Sequence, residues 1–232
     1  MIKIGCCGFP KKRELYFKEF LCVELQATFY QPPQLNTLAA LRHEAPSPFE
    51  FAIKAWQIIT HPVSSPTYRR LREKIGDSKN YGFFKPTPEV FSAYERMYEI
   101  ARILEAKAIL FQTPPSFFPT QENIKNMYRF FKKIKRDNFT FFWEERSGFS
   151  EKEIKKICRD LEIYYSCDPF KKFIKIDDLI YFRLHGRGGY KYKFNKEDLE
   201  RIKKLVKGKR GYVFFNNVYM WEDALEFKKL FL

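Results

Sequence analysis

Histidine is scarce in this 232-residue chain: only His43, His61 and His185 occur. A transition-metal centre needs several well-spaced His, Cys or carboxylate ligands, so a multi-zinc cluster is disfavoured, and no H-x-H or H-E-x-x-H spacing restores one. The five cysteines, Cys6, Cys7, Cys22, Cys158 and Cys167, are odd in number and include no C-x-x-C pair. That argues against a disulfide framework. No apolar run approaches the roughly 18 residues of a membrane span, and no long apolar segment follows Met1. A protein of the cytoplasm, away from membranes, is the expectation. Walker A and dinucleotide glycine fingerprints are missing, since Gly5 and Gly8 alone make neither, and no Gly-x-Ser-x-Gly elbow marks a serine hydrolase. Nor is there an internal repeat, a low-complexity segment or a shift of composition, so residues 1–232 are expected to form one domain.

Acidic residues are outnumbered. Forty-three Lys and Arg against 28 Asp and Glu leave a formal charge of +15, which favours phosphate-rich partners through long-range attraction and counterion release. RNA, DNA or a phosphorylated ligand all fit. The competing explanation is that Lys-rich stretches such as 152–156 and 203–209 are simply solvated helix faces. Aromatics reach 19 %, with 26 Phe. They suit a heavily aromatic core first and base-stacking platforms second.

Short apolar runs alternate with helix-period segments along the whole chain, the pattern of repeated βα units around a parallel sheet. Strands are expected near 2–6, 22–28, 49–56, 107–112, 139–145, 162–166, 179–185 and 211–216. Helices are expected near 12–20, 35–44, 87–105, 120–136, 150–160, 195–207 and 220–231, with Thr120 and Asn195 as helix starts. This predicts a TIM-type (β/α)8 barrel, irregular around the sixth unit, where only residues 169–177 make the return. A doubly wound open sheet is the alternative. Residues 57–86 are too long for an ordinary connection and carry Pro62, Pro66, Gly76, Gly82 and Pro86, so they read as an excursion over one barrel face.

In a parallel barrel, function gathers at the C-terminal strand ends, so polar residues interrupting apolar strands there are the candidates. Tyr181 to Gly186 reads Tyr-Phe-Arg-Leu-His-Gly, which puts Arg183 and His185 on one strand face before the glycine-rich run Gly186, Arg187, Gly188, Gly189. Strand two aligns Glu24, Gln26 and Thr28; strand three contributes Lys54 and Trp56, with Thr60 and His61 beyond. Gln112 ends strand four, Glu144 and Arg146 share a face of strand five, Asp168 follows strand six, and Asn216 and Asn217 close strand eight. Each has a structural alternative. Glu24 would be a buried carboxylate paired with Lys54 or Arg183, Glu144 and Arg146 an ion network, His61 a turn cap, and Asn216 and Asn217 partners for loop backbone. His43 has no assigned role. The cofactor is open. One Mg2+ or Mn2+ on Glu24, Glu144 or Asp168 is conceivable, because hard cations accept carboxylates and water, but no ligand spacing supports it.

Several separated motifs then share an order: Ile4-Gly5 with Gly8-Phe9, Val23-Glu24 with Thr28-Phe29-Tyr30, and Phe51-Ala52-Ile53-Lys54-Ala55 with Ile59-Thr60-His61. After them come Leu110-Phe111-Gln112 with Pro114-Pro115-Ser116-Phe117, Glu144 with Arg146, Asp168-Pro169, Arg183-Leu184-His185-Gly186 and Phe215-Asn216-Asn217. In this order the chain resembles the DUF72, or YecE-like, family across nearly its full length. The resemblance implies a TIM-type barrel, similar in fold to endonuclease-IV-like and xylose-isomerase-like proteins. It implies no activity, since the family is defined as one of unknown function and fold analogy is a poor warrant for a reaction.

The leading expectation is a barrel that binds a phosphate-containing ligand or nucleic acid and extends to a phosphodiesterase. Lys54, Arg146, Arg183 and the loop beginning at Gly186 would hold the anion, with His61, Gln112, Asn216 and Asn217 completing the binding wall. His185, Glu144 and Glu24 are the catalytic candidates, His185 or Glu144 as general acid or base. Two alternatives stand beside it: a non-catalytic RNA- or DNA-binding protein using its basic exterior, and an isomerase or lyase of a small polar metabolite with Glu24 and Glu144 as paired carboxylates. The oligomeric state is left open.

Overall fold

The short apolar runs fold as strands of one closed parallel sheet. In the computed structural model, which describes residues 1–174 and 177–231, they are β1 (Ile2–Cys7), β2 (Cys22–Leu25), β3 (Glu50–Lys54), β4 (Ala108–Gln112), β5 (Thr140–Glu144), β6 (Tyr164–Cys167), β7 (Leu179–Leu184) and β8 (Arg210–Phe215). They pair in sequence order, and β8 closes onto β1 through Ile2 to Cys6 against Gly211 to Phe215. The helices are α1 (Arg13–Glu19), α2 (Ala27–Tyr30), α3 (Leu35–Glu44), α4 (Gln57–Thr60), α5 (Pro88–Ile103), α6 (Gln121–Lys133), α7 (Glu151–Leu161), α8 (Lys196–Val206) and α9 (Met220–Lys229). The expected (β/α)8 barrel is therefore present. Its irregular sixth unit is present too: among the described residues no helix joins β6 to β7. No helix among them is long and apolar enough to cross a membrane.

Strand alternation builds two cores. Outward residues such as Ile53, Phe111, Trp143 and Val213 pack with helix residues such as Met97, Phe130, Ile154 and Phe227 in one large cluster. Inward residues, among them Cys22, Ala52, Leu110, Phe142, Tyr181 and Phe214, form a second cluster that plugs the barrel. Each fully buried Phe or Leu contributes about 1.5–3 kcal/mol. Helix starts follow their caps. Thr120 and Asn195 accept from Asn123 and Asp198 amides, and Ser150 and Glu153 form a reciprocal capping box at α7.

Two strands are shorter than periodicity suggests. β2 stops at Leu25 and β3 at Lys54, not at 28 and 56. Gln26 turns to a helical conformation and opens α2, and Thr28 Oγ1 lies 2.9 Å from Leu25 O and 2.7 Å from Lys54 O. A side-chain hydroxyl thus replaces the ladder at both strand ends.

The excursion after β3 holds α4 and two 3-10 turns, Pro66–Arg70 and Ser78–Asn80. It is fastened at its return, where Gly82 N donates to Ile58 O (2.8 Å) and Phe84 N to Ile59 O (2.9 Å). Gly82 has φ +76°, and a Cβ there would lie 2.3 Å from His61 O, so only glycine lets this return strap approach so closely. Phe84 then buries its ring among Phe111, Phe117, Phe130 and Phe131.

Candidate functional site

Above the apolar plug, the inward residues turn polar at the C-terminal ends of the strands. Lys54 ends β3, Gln112 β4 and Glu144 β5; Glu24 sits one residue before the end of β2, Ser166 on β6 and Arg183 on β7. Gln112, Glu144 and Ser166 are successive register partners, so they share one level of the mouth.

Arg183 is the hub, with 1 % of its surface exposed. Its Nε and Nη2 fork onto the two oxygens of Glu24 at 2.8 and 3.0 Å, and Nη1 donates to Glu144 Oε2 at 2.6 Å. Glu24 also accepts from Tyr181 Oη (2.7 Å), from Gln26 Nε2 and from the Cys7 thiol (3.3 Å). Burial opposes the charge on Arg183, yet Glu144 and Glu24 raise its pKa above the ordinary value. Burial would likewise keep Glu144 protonated, but Arg183 and Arg146 hold its carboxyl well below the usual carboxylate range.

The chain of contacts continues outward. Arg146 Nε donates to Glu144 Oε1 (2.7 Å), and its Nη2 lies 3.2 Å from His185 Nε2. Since a guanidinium only donates, Nε2 must accept and the proton of a neutral imidazole must sit on Nδ1. Nδ1 lies 3.2 Å from Asp168 Oδ2, which also accepts the His185 amide at 3.0 Å, while Asp168 Oδ1 accepts from Phe170 N. Asp168 thus fixes the ring and its tautomer. Burial lowers the His185 pKa below its ordinary value; Asp168 pulls it back in part, and Arg183 and Arg146 depress it further. The result is a neutral imidazole whose basic nitrogen points at a guanidinium. Both border a cavity of about 370 Å3, whose wall also includes Lys171, Lys172, Tyr165 and Cys167.

Lys54 stands apart from this network. It is buried, and its Nζ lies 3.6 Å from the centre of the Phe29 ring and makes no hydrogen bond or ion pair among the described residues. Burial and then the charge of Arg183 lower its pKa from 10.5 to about 7, with Glu144 and Glu24 opposing and Arg146 adding to the fall. The other face of this aromatic corner is His61, whose ring meets Phe29 edge-on at 4.9 Å and whose Nδ1 lies 2.8 Å from Thr60 Oγ1. Burial, with the nearby charges of Lys54 and Arg146, lowers the His61 pKa to about 3.

The remaining candidates sit differently. Gln112 is buried at the end of β4, with no side-chain hydrogen bond among the described residues. Gly186 has φ +88°, and its loop closes on itself through Gly189 N to Gly186 O at 3.3 Å and Tyr192 N to Gly189 O at 3.0 Å. Asn216 extends the β7–β8 ladder by donating its amide to Leu184 O. Asn217 turns away from the mouth: its Nδ2 donates to Tyr192 O (2.7 Å) and to Asp223 Oδ2 (2.6 Å), tying that loop to α9. For a divalent cation the fit is poor, because the oxygens of Glu24 and Glu144 already accept from guanidinium groups, and no group of three or more potential ligands is gathered among the described residues.

Asp168 belongs at the centre of the site as the partner of His185, and Phe29, Cys7 and Ser166 join it without having been singled out as ligand contacts. Ser166 had a signal, since it shares a strand face with Asp168. Its buried Oγ has no hydrogen-bond partner among the described residues.

The model of the family described as "Protein of unknown function DUF72" matches residues 8–231. The chain belongs to the DUF72 family. Its fold is similar to that of a DUF72 protein from Enterococcus faecalis, with a TM-score of 0.75, 20 % identity, and coverage of 100 % of this chain and 97 % of that one. A xylose isomerase domain containing protein from Salmonella typhimurium follows at TM-score 0.60 and 14 % identity, covering 98 % and 95 % of the two chains. Endonuclease IV from Thermus thermophilus has TM-score 0.55 and 8 % identity over 99 % and 97 %. At these identities the likeness is one of fold. A search of curated proteins finds no match by sequence. DUF72 membership and barrel architecture are thus established together, and the chemistry rests on the mouth itself.

Proposed function

We propose that the barrel mouth is an active site for a small phosphate-containing metabolite, on which His185 moves a proton in a reaction of the isomerase or lyase type. The observation that carries this reading is the Asp168–His185–Arg146 arrangement on the wall of the cavity, where a neutral imidazole meets a guanidinium at 3.2 Å. Arg146 has two roles open to it. Its Nη2 satisfies Nε2, and a phosphate oxygen would draw that Nη2 away and free the base. Lys171 adds positive charge at the same wall, where Lys172 is paired with Glu145 at 2.8 Å. Arg183, with three nitrogens already on carboxylates, positions Glu24 and Glu144 and leaves anion binding to the outer cations.

Titration with inorganic phosphate, followed by 15N and 31P NMR, tests this. Binding should perturb the His185 ring nitrogens, and Arg146→Ala should weaken it about tenfold, the loss of one charge-assisted hydrogen-bond pair. His185→Ala should retain phosphate binding. Unchanged affinity in both Arg146→Ala and a Lys171→Ala/Lys172→Ala double variant overturns the site. Hydrolysis of a phosphodiester such as bis(p-nitrophenyl) phosphate, abolished by His185→Ala, would replace the isomerase or lyase reading with a phosphodiesterase.

The charge of +15 favours a second reading, nucleic-acid binding on the exterior, through exposed helix faces such as Lys152, Lys155 and Lys156 on α7. Single-stranded DNA bound that way would dissociate steeply with salt and ignore Arg146→Ala.

A further inference from the structure

Lys54 is placed unlike the two arginines of the mouth. Arg183 and Arg146 each hold a carboxylate within ion-pair distance, whereas Lys54, at 5 % exposure, holds none among the described residues. The charged and titratable groups that act on it come from every neighbouring element: Arg183 from β7, Glu144 and Arg146 from β5 and the loop after it, and Glu24 from β2. His61, whose ring also meets Phe29, feels its charge as well. Both carboxylates are turned to guanidinium groups, so the amine faces the Phe29 ring at 3.6 Å. The ring face attracts the ammonium form, but burial and the neighbouring guanidinium of Arg183 outweigh it and favour the neutral, nucleophilic amine. At the end of β3 it stands at the mouth of the barrel, where substrates of this fold are handled.

We propose that Lys54 is a nucleophile that forms a reversible imine with the carbonyl group of a small aldehyde or ketone. The inference rests on the mouth being an active site, and it makes the metabolite a phosphorylated carbonyl compound. The Nζ lone pair attacks the carbonyl carbon and a proton passes from nitrogen to oxygen, giving a carbinolamine. The C–O bond then breaks, the hydroxyl leaves as water with a proton from solvent, and a C=N bond forms. Protonated, that imine withdraws electrons from the adjacent carbon and acidifies its C–H bond. No oxidant or reductant is consumed.

Reductive trapping tests this with glycolaldehyde, which is uncharged, and glycolaldehyde phosphate, each with sodium cyanoborohydride, followed by peptide mass spectrometry. At pH 7 the Lys54 peptide should carry the reduced adduct about 1,000-fold faster than surface lysines, since an amine near pKa 7 is about half neutral while ordinary lysines are almost wholly protonated. The labelling rate of the wild-type protein should be half-maximal near pH 7, a measurement that needs no variant. Lys54→Met and Lys54→Arg, checked for folding by circular dichroism, should lose the adduct. Labelling spread over surface lysines with Lys54 unmodified, or labelling of Lys54 that rises only above pH 9, overturns the proposal. If neither aldehyde traps Lys54 while inorganic phosphate still binds through Arg146, the imine fails and the phosphate site stands. If both aldehydes trap it equally and Arg146→Ala changes neither, the imine stands and the phosphate site fails.

Discussion

Arg183 joins carboxylates from two other strands, so removing its charge leaves Glu24 and part of Glu144 buried without a counter-charge. Arg183→Met is expected to cost about 3–5 kcal/mol in chemical denaturation, the loss typical when one partner of a buried pair is deleted. Glu24 is the more exposed to that loss, because Glu144 keeps Arg146. The double variant Glu24→Gln/Arg183→Met should therefore recover a good part of it, and no recovery would mean that the pair carries little of the cost. Much of this hub was legible beforehand. Period-two alternation aims Glu24, Glu144 and Arg183 inward, and a buried Glu24 needs a cation; of the two candidates, Arg183 is the partner and Lys54 is not. The Asp168–His185 contact was not legible, since it joins the loop after β6 to the end of β7 and no periodicity links a loop residue to a strand. Phe29 was hidden for a related reason: extending strand two to residue 28 directs attention to Thr28, whereas the turn into α2 swings the next ring beneath Lys54.

Strand β7 carries Arg183 and leads directly to His185, so the pairing of β7 with β8 sets where both side chains stand. That pairing includes Ile180 opposite Gly211, which has φ +119° and whose added Cβ would lie 2.0 Å from Ile180 O. Neither the backbone conformation nor the space admits a side chain. Gly211→Ala should cost about 1–3 kcal/mol and raise hydrogen exchange in β7 amides before those of β4 or β5; uniform exchange with an unchanged thermal midpoint would show that the strand pair adapts. Elements with a strong period were readable from the residues: among the described residues, all eight strands, and the seven helices of seven residues or more, fall where alternation or helical spacing puts them. The four-residue helices α2 and α4 were not, because one turn gives no repeat to detect and both replace what looks like strand continuation. The excursion announces itself by length and by its Pro and Gly content. What fastens it, Gly82 against His61 O and Phe84 in the aromatic core, is tertiary and leaves no local pattern.

The mouth and the exterior bias stability in the same direction with pH. As pH falls from 6.5, the unfolded chain protonates His61 while the folded protein resists down to about 3, so stability is lost across that window. Glu144, held below its ordinary 4.5, adds a loss as acid protonates the unfolded chain first. Lys54 acts likewise between 10.5 and about 7, where the unfolded chain binds the proton more readily and stability climbs with pH. The net charge of +15 relaxes as well when pH rises. Against these stand the buried thiols. Burial pushes Cys6 from 9.0 up to about 12, and Cys7, Cys22, Cys158 and Cys167 are raised with it, so above pH 9 the folded protein keeps protons that the unfolded chain has lost and stability declines. Thermal midpoints should therefore rise from pH 5 to a maximum at about pH 8–9 and fall beyond it. Lys54→Met separates the lysine from the rest. Without a charge to bury, the variant should be more stable than the wild type by a few kcal/mol at pH 7, and the advantage should shrink towards pH 10 as the unfolded chain's lysine approaches its ordinary pKa of 10.5. A difference that stays constant from pH 7 to pH 10 would mean that Lys54 remains charged in the folded barrel throughout, and would remove the neutral amine on which its nucleophilic role depends.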